Sequence, residues 1–216
     1  MRIRKTYAVL GLGRYGSAVA KELVENGLEV IAVDANQRIV NELAAHLPVC
    51  KCADVSDPEV IKRLGIGTID IVIISMANNL EASVMAVTLC KEAGAKTVVA
   101  KASNEMHQKI LRRVGADYVV FPERESGVRL AKNLLSSGFI DMISLSKDVS
   151  IVEINVKDEW IGKNLIELNL RKRYGFNIIA TKSNGHVNVN INPEEVLDTE
   201  TTLIVIANTA NLKNCR

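Results

Sequence analysis

The sequence has no apolar run approaching the roughly 20 residues that a helix needs to cross a bilayer. Its basic opening, MRIRK, leads into a strand-like segment and not into the apolar core of a secretory signal. These features predict a cytoplasmic protein and leave room for docking on a membrane protein. An excess of one charge sign is also missing, since the formal net charge is +2. No stripe of Lys and Arg interleaved with aromatic residues occurs, so nucleic acid is not an expected partner. Histidine is scarce: His46, His107 and His186 are the three. No Ser/His/Asp or Cys/His arrangement surrounds them, and no carboxylate pair stands out as general acid and base. His107 lies on an amphipathic helical pattern, NEMHQKILRRVG, where a surface or packing role is expected.

Cysteine is limited to Cys50, Cys52, Cys90 and Cys215. Cys50 and Cys52 form a C-x-C on a predicted strand, which puts both on one face. Metal sites use C-x2-C or wider spacing with further ligands, and nothing downstream completes such a set. Burial is the expected fate of this pair; redox sensing and metal binding are the alternatives.

What is present is an ordinary folded composition: 216 residues, 48% apolar and 24% charged. That size permits one large domain or two small ones. The first two-thirds alternate strand and helix. Strands are expected at TYAVLG, LEVIAVD, PVCKCAD, IDIVIISMA, KTVVAKA and ADYVVFP, with helical periodicity between them. Asn36 and Pro58 are suited to helix starts. This pattern predicts an α/β fold, a Rossmann-like doubly wound parallel sheet.

The turn after strand one reads G-x-G-x-x-G, from Gly11 through Leu12, Gly13, Arg14 and Tyr15 to Gly16. Gly11 allows a tight turn, Gly13 a close approach of phosphate, and Gly16 close packing of helix on sheet. The following helix offers free N–H groups and positive dipole character. Asp34 ends strand two, where a carboxylate can accept from both ribose hydroxyls and repels a 2′-phosphate. Arg14 is placed to pair with terminal phosphates, or to stand in solvent as an ordinary surface arginine. Asp54 ends strand three and either accepts from an adenine amino group or caps the next helix. Glu123, after Pro122, either pairs with an arginine, binds a divalent cation facing phosphates, or favours a helix dipole.

Beyond Pro122 the sequence reads as one long or broken helix, ERESGVRLAKNLLSSGFIDMISLS, with Gly127 and Gly138 as break points. It has apolar positions at Val128, Leu130, Ala131, Leu134 and Leu135 and suits a connector or an oligomer interface. The remainder predicts a small α+β C-terminal domain, with a hairpin at Asn184-Gly185 and a last apolar strand, LIVIANT. The expected boundaries are 1–122 for the nucleotide-binding domain, 123–140 for the helical connector and 141–216 for a dimerising domain.

These stretches together resemble the cytoplasmic regulatory subunits of Trk/Ktr potassium-uptake systems, which are built from RCK domains. The resemblance rests on VLGLGRYG, Asp34, CADVSDPEVIKRLGI, SMANNLEASVMAVTLCKEAGAKTVVAKA, GADYVVFPERESG and the terminal module. It implies a non-enzymatic protein that binds ATP, ADP or NAD(H) as an allosteric ligand. It implies homodimers, often in an octameric ring, docked on a membrane-embedded potassium-translocating subunit. Under it Gly11 to Gly16 form the phosphate loop, Asp34 the ribose ligand and Asp54 the acidic residue near adenine. Asn78 opens the helix beside the nucleotide, Lys101 lines the same cleft, and Glu123 holds Mg2+ or Ca2+ near the terminal phosphate. Arg171, Asn177, Ile178, Ile179 and His186 match a cyclic di-AMP site. Ala207 stands where glycine more commonly follows the last strand. An NAD-dependent oxidoreductase and a stand-alone redox or nucleotide sensor are the alternative functions.

Overall fold

The computed structural model describes residues 5–135 and 139–212. The MRIRK opening up to Arg4, Gly138 and Cys215 lie outside the described residues. The chain divides into two compact units, Met1–Glu123 and Arg124–Arg216.

In the first unit, β1 (Thr6–Leu10), β2 (Glu29–Asp34), β3 (Cys50–Cys52), β4 (Ile71–Ile74), β5 (Thr97–Lys101) and β6 (Tyr118–Val120) form one sheet. Its order is β3-β2-β1-β4-β5-β6, with every pairing parallel. The connecting helices are α1 (Arg14–Glu25), α2 (Gln37–Leu43), α3 (Pro58–Arg63), α4 (Leu80–Glu92) and α5 (Glu105–Arg113). Burial on both faces explains the apolar strands. Ala8 and Leu10 of β1 enter a core with Val72, Ile74, Val87, Val98 and Leu111. Val9, between them, points into the opposite layer with Ala20, Ala32 and Leu43. The order reverses between β1 and β4, which opens a crevice at the carboxyl ends of those strands.

The second unit holds α6 (Pro122–Leu135), whose first two residues belong to the first unit, and β7 (Phe139–Ser144). β8 (Val149–Asn155), α7 (Leu165–Leu168), α8 (Leu170–Tyr174), β9 (Asn177–Ser183), β10 (His186–Asn188), β11 (Thr201–Asn208) and α9 (Thr209–Leu212) follow. The antiparallel order is β10-β9-β11-β8-β7. Val152, Ile154, Leu203, Val205 and Ala207 project from the sheet onto Trp160, Leu168, Leu170 and Phe176. The hairpin between β9 and β10 turns on Asn184 (φ 50°) and Gly185 (φ 80°), the left-handed pair that a two-residue turn favours.

Two expectations are corrected. Residues 139–144 form a strand and not the tail of a helix, because FIDMIS pairs antiparallel with β8 from Met142↔Val152 to Ser144↔Ser150. Ala207 lies within the last strand, opposite Ser150, and does not follow it. It is buried in the core, where a small side chain fits the sheet's inner face.

Candidate nucleotide site

The chain leaves β1 through Gly11, whose backbone takes φ +92° and whose N–H donates to Val33 O at 2.8 Å. A Cβ at Gly16 would collide with the carbonyl oxygen of Gly11, so only glycine lets α1 start this close to the turn. Gly13 faces open space and is exposed. Side chains cap α2, α3, α4 and α5, namely Asn36, Asp57, Asn79 and Asn104. The α1 terminus has no side-chain cap and no acidic residue in its first turn. This end of the helix, where the dipole favours anions, carries no acceptor of its own from a capping side chain.

Asp34 is fixed from two sides. Its Oδ2 accepts from Leu12 N at 2.6 Å and its Oδ1 from Asn36 N at 2.8 Å. Each carboxylate oxygen keeps a second lone pair, so the group can orient a diol while holding the phosphate turn. Ser75, at the end of β4, was not legible as a site residue. Its Oγ is buried with no hydrogen-bond partner, and its Cβ lies within van der Waals reach of the space above Gly16. An orphaned hydroxyl beside an uncapped helix start is what a polar ligand in this crevice would satisfy. The available signal was its place at the switch point, just past a continuously apolar strand.

A charged cluster borders the turn. Lys101 Nζ donates to Glu123 Oε1 at 2.6 Å and stands 5.7 Å from the centroid of the Tyr15 ring. The Lys101 hydrogen bond, aided by the Arg14 charge, holds the Glu123 carboxyl below the usual glutamate range. Lys101 and Glu123 thus meet directly, with Tyr15 and Arg14 beside them. Among the described residues no group of three or more His, Cys, Asp or Glu comes together as a metal cage. Glu123 brings one carboxylate to this cluster, and it is paired with Lys101.

Asp54 accepts from Ser56 N at 2.9 Å and Ser56 Oγ at 2.6 Å, which lowers its pKa. It orders the turn before α3, whose cap is Asp57. Asn78 is exposed in the turn before α4, and the residue that caps that helix is Asn79, through Ala82 N. The cysteines correct the expectation of burial. Cys50 is half-buried and Cys52 exposed, while Cys90 is buried, its thiol pushed up to about 12. The reason is local: α2 ends at Leu43, and β3 is a three-residue edge strand that α2 covers only in part. His107 is buried as a packing residue, bonded through Nε2 to Ser83 Oγ at 2.8 Å.

In the second unit, Arg171, Asn177 and Ile179 are exposed. Ile178 packs against the C-terminal core. His186 pairs with Ser183 across the hairpin. Six steps of strand, about 20 Å, separate Ser183 from Asn177, so His186 and Asn177 lie at opposite ends of β9 in one chain.

A parallel sheet in this order, with a glycine turn and an anchored carboxylate, defines a Rossmann-like fold. Residues 7–122 match the TrkA-N domain and residues 149–214 the TrkA-C domain. The chain belongs to the Trk/Ktr potassium-uptake family. It is 38% identical to Ktr system potassium uptake protein C of Bacillus subtilis (strain 168), over 97% of this chain and 95% of that one. It is 34% identical to Ktr system potassium uptake protein A of the same organism, over 97% and 94%. The GsuK channel bound to NAD superposes with a TM-score of 0.65 at 18% identity, over 98% of this chain and 38% of that longer one. That likeness is one of fold.

Proposed function

We propose that this chain is a cytoplasmic, nucleotide-sensing regulatory subunit of a Ktr-type potassium-uptake system. It acts as a homodimer, assembled into an octameric ring, that gates a membrane-embedded potassium-translocating partner and catalyses no reaction. The observation that carries the reading is the joint anchoring of the turn by Gly11, Gly16 and Asp34, in a chain related along its length to Ktr proteins.

The ligand is ATP or ADP, with NAD(H) as the other diol-bearing choice. Phosphates sit at the N-terminus of α1, beside Gly13 and Arg14, and the ribose hydroxyls on Asp34. A terminal phosphate adds negative charge beside Lys101, Glu123 and Arg14. It competes with Glu123 for Lys101, so ATP and ADP leave the ion pair in different states. Such a difference gates only if the two ring shapes bind the nucleotides with different affinity. Cyclic di-AMP binding by Arg171, Asn177, Ile178, Ile179 and His186 requires two copies, given their separation in one chain.

Calorimetry on the purified protein with ATP, ADP, NADH and cyclic di-AMP tests the reading. Asp34→Asn is expected to weaken nucleotide binding about tenfold, the worth of one charge-assisted hydrogen bond. Repeating the titrations with Mg2+ or Ca2+ decides whether Glu123 leaves Lys101 for a cation. Equal affinity of wild type and Asp34→Asn for every nucleotide would remove the site, and NADH turnover on a small substrate would replace the reading with an oxidoreductase.

A further inference from the structure

The sequence holds two Asn-Gly steps, Asn26-Gly27 and Asn184-Gly185, and the fold treats them differently. Asn26 closes α1. Its Nδ2 donates to Glu22 O at 2.8 Å and to Glu22 Oε1 at 2.9 Å, and the Gly27 N–H donates to Val24 O at 2.8 Å. Carboxamide and following amide are both held. Asn184 and Gly185 are exposed and form the turn between β9 and β10, at φ 50° and 80°. Among the described residues neither the Asn184 carboxamide nor the Gly185 N–H makes a hydrogen bond. The arm behind the turn is short. β10 is an edge strand exposed along its length, paired to β9 from His186↔Ser183 to Asn188↔Thr181. Such a tip opens at little cost.

We propose that Asn184 is a self-modification site, where the chain converts its own carboxamide to aspartate and isoaspartate, and that the bonds at α1 protect Asn26 from the same reaction. Gly185 has no Cβ to keep its nitrogen from the Asn184 side chain. A base takes the Gly185 N–H proton, and the nitrogen attacks Asn184 Cγ. The bond from Cγ to the side-chain nitrogen breaks, and ammonia leaves with a proton from solvent. Water then opens the five-membered imide at either carbonyl. Attack at Cγ gives aspartate. Attack at the main-chain carbonyl gives isoaspartate, with the chain running on through Cγ. One water is taken up, one ammonia is lost, and nothing is oxidised or reduced. The aspartate adds a negative charge and keeps the turn, since Asp as well as Asn tolerates positive φ. The isoaspartate puts an extra methylene in the main chain, so the turn no longer sets His186 opposite Ser183. That pairing walls a cavity of about 220 Å3, to which Thr181, Ser183, His186 and Asn188 contribute. The isoaspartyl form loses this wall.

The full chain is incubated in mildly alkaline buffer, both folded and in urea. The Asn26 and Asn184 peptides are followed by mass spectrometry, with fragmentation that tells aspartate from isoaspartate. In the folded protein Asn184 is expected to convert at least about tenfold faster than Asn26, the protection that the hydrogen bonds at α1 provide. In urea the two rates are expected to come together, because both steps are Asn-Gly. Backbone amide exchange at Val187 and Asn188 is expected to quicken in the isoaspartyl fraction. It is expected to keep the wild-type rate in Asn184→Asp, which carries the charge without the longer chain. No conversion at Asn184 in the folded protein, conversion of Asn26 at the same rate, or a difference that survives in urea overturns the proposal. An isoaspartyl chain with unchanged exchange in β10 overturns its consequence for the hairpin and the cavity.

Discussion

A methyl group at Gly16 would meet the carbonyl oxygen of Gly11, whereas one at Gly13 would meet nothing within 4 Å. The two glycines therefore do different work. Gly16→Ala must move backbone, and it is expected to cost about 2–3 kcal/mol of stability as an overpacked contact and to abolish nucleotide binding. Gly13→Ala is expected to fold like the wild type, because Gly13 has φ −61°, which any residue adopts. Its Cβ would occupy the space through which phosphate approaches, so ATP affinity falls about tenfold or more. Thermal unfolding and calorimetry on the two variants separate packing from binding; equal melting temperatures for both would contradict the packing role. The glycine spacing and Asp34 were legible in the sequence because each follows from local geometry at a strand end. Ser75 was not, since its lack of a partner depends on how α1 closes over β4. Cys52 was misread because its exposure depends on where α2 stops, a boundary that periodicity defines loosely.

Side chains that join elements carry the pH dependence. His107 bridges α5 to α4: Ser103 N donates weakly to Nδ1 at 3.4 Å, and Nε2 lies 2.8 Å from Ser83 Oγ. Ser83 Oγ in turn donates to Leu80 O. This chain assigns the neutral ring with its proton on Nε2. Burial lowers the His107 pKa, so the folded state resists protonation. Stability is present above the unfolded pKa of about 6.5 and is lost as pH falls below it. Urea unfolding from pH 7.5 to 5 is expected to show this decline, and His107→Gln to flatten it. At the amino ends of the central strands, Asp70 accepts from Lys96 Nζ at 2.7 Å and from Thr6 N at 2.9 Å, tying the starts of β1, β4 and β5. The Lys96 bond, then the Thr6 amide, bring its pKa to about 2. Its contribution is present above the unfolded value of about 3.9 and disappears as pH falls toward 2. Asp70→Asn should remove that part of the decline when urea unfolding is carried on from pH 5 to about 2; an unchanged slope would show the tie to be dispensable. Elements with caps and continuous apolar runs were readable in advance, Asn36 at α2 and Pro58 at α3 among them. β7 was not, because its alternation becomes meaningful only once β8 lies beside it.

At the scale of the whole molecule, the exposed apolar side chains of α6 bear on assembly. Leu130 is 59% and Leu134 77% exposed, one helical turn apart, with Val128 at 47% on the same helix. Residues at i and i+4 share a face, so Leu130 and Leu134 present a stripe to solvent in the single chain. Scattered surface leucines need no explanation, but two in register on one helix favour a second copy, as the dimeric reading requires. Leu134→Glu places a charge in that stripe. Because the position is exposed, unfolding of the single chain is expected to change by less than about 0.5 kcal/mol, while burial of an unpaired carboxylate opposes association. Light scattering should then report a smaller assembly than wild type, with ATP affinity per chain retained, since residues 11–34 are untouched. The regulatory proposal adds a further consequence: a subunit that binds ATP normally but no longer assembles should fail to gate its membrane partner in a potassium-flux assay. Retained assembly in Leu134→Glu would move the interface off α6, and retained gating by dissociated chains would mean that the nucleotide signal does not pass through the ring.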